Sequence, residues 1–245
     1  MRFERMRPDQ IADAIGRNLP VVLPIGVMEY HARHLPAGVD LLIVTETLAR
    51  LEAEAEVVIL PPFAYGAASH AVAGPEGTGT LHLDAGAILP MAEALFAALL
   101  AAGFRNVHGV IHHQTENFAQ GMPTDLAFRL AARNAIFRFL EAERGPGWWG
   151  RAEMRDYYAD HAAGADPFAW IRVHPLFPKG AAFPFDHAGE GETALMLALA
   201  PETVDMGRVA EGGHWYAETA ALATAGRGEE GVAIALAHLR QVMGL

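Results

Sequence analysis

Short apolar runs alternate along the chain with stretches of helical period. Residues 20–26 (PVVLPIG), 56–61 (EVVILP) and 105–112 (RNVHGVIH) are dense in β-branched side chains and read as buried strands. Residues 8–18, 41–54, 84–102, most of 117–143, 190–200 and 228–243 read as helices. Pro8 suits the first turn of its helix. Asp84 is placed to cap the helix over 84–102. Pro61 and Pro62 close the second strand. Residues 72–80 (VAGPEGTGT) read as a Gly-rich loop that could bind an anion through backbone N–H groups, though a plain turn is favoured because no Lys or Arg stands beside it. Residues 145–187, rich in Gly, Pro and aromatics, read as long loops over a site. Strands that are apolar throughout, separated by helices, predict a mainly parallel sheet covered on both faces. No repeat or linker divides the chain, so one domain over 1–245 is expected.

Composition narrows the chemistry. With 245 residues, 52% of them hydrophobic, the chain has ample material for a core. A net charge of -11 without basic clusters argues against nucleic acid and anionic membrane surfaces as partners. The absence of cysteine excludes disulfides, thiolate metal sites and a thiol nucleophile. The only serine, Ser69, lacks a G-x-S-x-G context, which argues against a serine hydrolase. The charged N-terminus has no apolar leader segment, and no apolar run approaches the ~20 residues of a membrane span. A cytoplasmic protein is the expectation.

Three polar clusters then stand out. Glu29 and His31 follow the first strand, with His34 and Asp40 close behind. His112, His113, Gln114 and Glu116 follow the third strand. Asp186, His187, Glu190 and Glu192 open a helix. In parallel α/β sheets, sites form beyond the carboxyl ends of the strands, so the first two clusters share one sheet edge. Singly, each residue reads as a surface group or a cap. As a set, imidazoles with several carboxylates suit Zn²⁺, Mn²⁺ or Fe²⁺.

The segment LPIGVMEYHARHLPAGVD resembles the signature of the creatininase (creatinine amidohydrolase) family, approximately P-x-G-x-x-E-x-H-G-x-H-L-P-x-x-x-D. FDHAGEGETALMLALAPETVDM is similar to that family's H-A-G-x-x-E-T-S-x-x-L segment. VIHHQTEN takes the place of its N-G-H-x-E-N segment. The resemblance implies a three-layer α/β/α domain, a homo-oligomer, often a hexamer, and a zinc or manganese centre. It also implies hydrolysis of a small cyclic polar substrate at an amide C–N bond. On this chain, Glu29 would bind one metal and His31 the other, with Asp40 bridging and Glu116 on the second. Asp186 and His187 would handle protons. His34 would lie behind the ligands or touch the pocket.

The departures from the pattern matter. The motif's metal-binding His falls on Gln114, unless a one-residue shift brings in His113. The resemblance thus implies one tight metal on His31, Asp40 and Glu116, and a second dependent on His113 or Gln114. With one metal, Glu29 would be freed to act as a base. The variant EYH and HHQ-x-E segments resemble members that open a cyclic diketone of the 3-dehydro-scyllo-inosose type, in inositol catabolism, by C–C hydrolysis. For such a ligand His70, His112, His113, Gln114 and Gln120 would supply polar contacts. Trp148 and Trp149, with Tyr157 and Tyr158, read equally as an aromatic lid on the substrate and as packing. A binding protein with a decayed site and a keto-sugar isomerase are the competing readings.

Overall fold

A computed structural model of the chain describes residues 1–68, 79–115, 118, 120–211 and 213–245. Four parallel strands form one sheet in the order β2-β1-β3-β4: β1 Val21–Ile25, β2 Val58–Ile59, β3 Val107–Ile111 and β4 Ile171–Pro175. The helices are α1 Pro8–Gly16, α2 Val39–Glu54, α3 Ala85–Ala102, α4 Pro123–Arg144, α5 Tyr157–Ala162, α6 Glu190–Leu199 and α7 Ala225–Met243. Alternation along β1 sends Val21, Leu23 and Ile25 to one face and Val22 to the other. On the first face they meet Phe96 and Leu100 of α3 and Phe128 and Ile136 of α4. On the second, Val22 and Val110 join Ile43 and Leu48 of α2, Leu195 of α6 and Leu239 of α7. The result is the α/β/α sandwich that uniformly apolar strands require.

Several boundaries differ from the sequence reading. The second strand pairs over two residues only. β4 lies inside the segment read as loops. Its IRVHP sequence is mostly half-buried and carries Arg172 outward, so it lacks the apolar run that marked the others. The helix expected over 117–143 starts at Pro123, where Asp125 accepts the Met122 N–H at 2.5 Å. The last helix starts earlier than expected, at Ala225, because Thr224 accepts the Arg227 N–H. Asp84 precedes α3, but its carboxylate takes His82 and caps nothing. α3 itself is apolar and, at 18 residues, long enough by length and composition to cross a membrane, which the sequence reading missed. Here it lies against the sheet, burying Ile88, Ala92, Phe96, Leu99 and Leu100.

Register places the site. Ile25 pairs with Ile111, so the chain leaving β1 and the chain leaving β3 emerge side by side. Gly26 then lets α2 approach. A Cβ there would lie 2.6 Å from both Cα and N of Leu41. This contact presses the start of α2, and with it Asp40, against the loop carrying Glu29 and His31.

Candidate metal centre

Glu29, His31, Asp40, His113 and Glu192 meet beyond the carboxyl ends of β1 and β3, each almost wholly buried. The loop after β1 is closed by the Glu29 N–H to Ala37 O at 3.0 Å and by the Tyr30 N–H to Thr80 Oγ1 at 2.9 Å. Within it, the His31 Nδ1–H donates to Glu29 O at 3.0 Å. His113 Nε2–H donates to Ala67 O, and His187 Nε2–H to Tyr30 O, both at 2.9 Å. A carbonyl only accepts, so each bond fixes its tautomer. In their neutral form all three imidazoles would therefore keep a bare inner nitrogen turned toward carboxylates.

The spacing of those inner atoms is informative. His113 Nδ1 lies 3.1 Å from Asp40 Oδ2 and 3.4 Å from Glu29 Oε1. His31 Nε2 lies 3.5 Å from Asp40 Oδ1 and 3.4 Å from Glu192 Oε2. Tetrahedral ligands about 2.1 Å from a zinc ion sit roughly 3.4 Å from each other. Two ligand sets of that size share Asp40, one oxygen each. A third set, Glu29, His31 and His187, is wider, at 3.7 and 4.0 Å. His31 Nε2 and His187 Nδ1 are buried with no hydrogen-bond partner. Lone pairs facing anions in a buried cluster call for a cation between them. The donor set fits a divalent metal, and main-chain acceptors behind each imidazole are the support that metal-bound histidines use.

Protons are the alternative occupant. Burial lowers the His31 pKa, but Glu192, Asp40 and Glu29 outweigh it and raise it to about 9. Burial likewise opposes the His113 charge, and Asp40 and Glu29 raise its pKa well above the usual value. Burial would raise Asp40 and Glu192, yet the neighbouring imidazoles hold both carboxyls below their ordinary range. His187 goes the other way, lowered by burial and by His31. A divalent ion entering this cluster must displace protons.

The remaining sequence candidates are spread unevenly. Gln114 lines a tight cleft, with room for about one water, beside His112, Asp186, Glu192 and Phe185. His112 is buried in the same wall, with Nε2 3.3 Å from Glu192 Oε1. Asp186 accepts the N–H groups of Gly189, Gly191 and Glu192 and so anchors the first turn of α6. Burial, and then Glu192, still push its carboxyl up to about 6. His34 is sealed at 1% exposure behind the cluster, bound to Thr193, and does not line the cleft. Trp149 packs on Trp148, Tyr157 and Phe168, close to where β4 begins, and the structure does not bring it to the centre. Glu116 and His70 lie outside the described residues.

Glu192 was not among the sequence-derived ligands. It stands five residues after His187, in the first turn of α6, and its Oε2 accepts the Ala188 N–H at 2.7 Å. Its signal lay in the DHAGEGET segment, where a carboxylate opening a helix also reads as a charge complementing the helix dipole. Backbone conformation marks the site too. Among the described residues, four non-glycine residues are left-handed, and three directly follow a site histidine: Ala32, Gln114 and Ala188, at φ 57°, 55° and 54°.

The profile of the family described as creatinine amidohydrolase matches residues 4–242. The chain belongs to the creatininase family. A creatinine amidohydrolase of Pseudomonas putida is 26% identical over 194 residues, spanning 78% of this chain and 68% of that one. Among solved structures, a manganese creatininase aligns with TM-score 0.72 and 18% identity, covering 99% of this chain and 96% of that one. A creatinine amidohydrolase structure aligns at 0.71 and 20%, with the same coverage. A putative creatinine amidohydrolase from Bacteroides fragilis aligns at 0.64 and 17%, covering 99% and 94%. These structural likenesses establish a creatininase fold for the whole sheet and its helices.

Proposed function

We propose that this creatininase-family protein is a metal-dependent hydrolase that opens a small cyclic amide. One observation carries the reading: His31, His113 and His187 each spend the outer nitrogen on a main-chain carbonyl and turn the inner nitrogen toward buried carboxylates. The family relation supports it, since the curated relative is a creatinine amidohydrolase. Glu29, Asp40 and His113 would hold one divalent ion, and His31, Asp40 and Glu192 a second. Manganese and zinc are the leading candidates, because forms with each occur among the similar creatininase structures. When bound, such an ion supplies Lewis acidity toward a carbonyl and toward water.

The protein's own groups do the rest. His187, locked by Tyr30 O, keeps Nδ1 free to accept a proton from the attacking water and to deliver it to the leaving nitrogen. Its lowered pKa leaves it neutral and able to accept that proton at neutral pH. Asp186 is occupied by three backbone N–H groups and serves to fix the chain next to His187. Gln114 and His112, which line the tight cleft beside Glu192, would hold the substrate's polar edge.

The test is direct. Metal content is measured on protein purified without chelator. Turnover of creatinine, other cyclic amides and cyclic polyol ketones is followed by product mass. The expected result is bound divalent metal and a product one water heavier, with both lost in Asp40→Asn. Absence of bound metal, together with no thermal shift on adding Mn²⁺ or Zn²⁺, would overturn the proposal. A product of unchanged mass would indicate isomerisation.

A further inference from the structure

We infer that His34 is a positioning residue that sets Glu192 against His31 through a bond to Thr193. The inference rests on the metal centre proposed above. His34 Nε2 and Thr193 Oγ1 lie 2.9 Å apart, across 159 positions of sequence. The Thr193 hydroxyl reaches Ala188 O at 3.5 Å, so the His34 Nε2–H is the donor. Both side chains are sealed from solvent. The His34 carbonyl also accepts the Asp205 N–H at 2.9 Å. One residue thus ties the loop after β1, the first turn of α6 and the segment beyond α6.

Glu192 is the ligand most in need of that tie. Glu29 and His31 lie on one loop, Asp40 is held by the Gly26 contact, and His113 follows β3 directly. Glu192 arrives on a separate helix, more than 150 positions after His31. Its carboxylate must stop 3.4 Å from His31 and 3.3 Å from His112. Thr193 is its immediate neighbour, so the His34 bond sets how closely that turn approaches the β1 loop. An imidazole is a costly filler here, because its Nδ1 is buried without a partner. An apolar side chain would occupy the space without that desolvation penalty. The residue type answers to the bond rather than to packing.

The experiment measures Mn²⁺ and Zn²⁺ affinity by calorimetry, and the visible spectrum of the Co²⁺-loaded protein, in the full chain. The variants are His34→Leu, His34→Gln, Thr193→Val, Thr193→Ser and the Leu/Val double. His34→Leu and Thr193→Val should each weaken metal binding about 10- to 100-fold, the usual effect of removing a group behind a ligand. The double variant should be no weaker than the worse single. Thr193→Ser, which keeps the hydroxyl, should retain affinity and spectrum, and His34→Gln should recover part of both. Unchanged affinity in Thr193→Val, losses that multiply in the double variant, or equal loss in Thr193→Ser and Thr193→Val would each overturn the inference. If His34→Leu fails to fold by circular dichroism, the Val and Ser pair decides alone. The wild-type protein and Asp40→Asn, run alongside, test the centre itself: a wild type that binds no metal overturns that reading, whereas intact wild-type binding with indifferent His34 and Thr193 variants overturns only this one.

Discussion

Asp40 Oδ2 and His113 Nδ1 meet at 3.1 Å, although the residues are 73 positions apart in sequence. The pair joins the start of α2 to the end of β3. It turns His113 of the HHQ segment toward Asp40. Replacing His113 with Ala should reduce Mn²⁺ or Zn²⁺ affinity by more than about 100-fold, beyond the loss expected for a group behind a ligand. Gln114→Ala should leave metal affinity nearly unchanged and act on substrate KM instead. Calorimetry and steady-state kinetics separate the two.

Gly26→Ala should lower stability by about 2–3 kcal/mol, because the new methyl would overlap Leu41 backbone, which cannot rotate away. For a domain of this size each kcal/mol lowers Tm by about 2–4 °C. Metal affinity should fall with it, since relief moves α2 and Asp40. Thermal unfolding with and without added Mn²⁺ checks both effects.

Ala32→Gly should be neutral or stabilising by up to about 1 kcal/mol. Ala32 sits at φ 57°, where a Cβ is strained by about 1–2 kcal/mol, more than the entropy that glycine adds to the unfolded chain. Chemical denaturation of the two proteins measures the sign.

Acid should unfold the protein through a pair remote from the centre. The His108 Nε2–H donates to Asn106 Oδ1 at 2.9 Å, so the His174 Nε2–H donates to His108 Nδ1 at 3.1 Å. Both rings must be neutral for this chain of bonds. Burial lowers His108 to about 3, aided by His174 and Arg172, and lowers His174 to about 4, aided by His238, Arg172 and Arg129. Both folded values lie below the ordinary value of 6.5. The unfolded chain therefore takes up protons first, and the stabilisation is complete above about pH 6.5 and lost as pH falls toward 4 and 3. His108→Asn should flatten the decline of Tm between pH 6.5 and 4. An unaltered slope would place the acid sensitivity elsewhere.

Trp149→Ala should leave metal affinity unchanged and cost stability only modestly. The residue is 41% exposed and packs within an aromatic cluster near the beginning of β4. Calorimetry and thermal unfolding read the two effects.

The layers of the fold were legible in the chain because a strand apolar on both faces has one solution, burial between helices. β4 was not, since Arg172, His174 and Pro175 remove the apolar run that identifies an inner strand. Around the centre, Glu29, His31 and Asp40 lie within one short segment and could be read together. Glu192 escaped because a carboxylate in a first helical turn has an ordinary purpose. The choice between His113 and Gln114 depended on where the left-handed residue falls after β3. Trp149 reads equally as a lid and as packing, because aromatic richness near Gly and Pro describes both, and the structure packs it on Trp148, Tyr157 and Phe168.

The acceptors behind His31, His113 and His187 are Glu29 O, Ala67 O and Tyr30 O, all main chain. No point substitution deletes a carbonyl. The aim of these three rings is thus insulated from mutational drift, and relatives can diverge around them while the rings keep their bearing. Comparing side chains position by position would register none of this support. Glu192 also takes a main-chain N–H, from Ala188, but its turn is held by the side chains of Asp186, Thr193 and His34, and it is there that drift has something to remove.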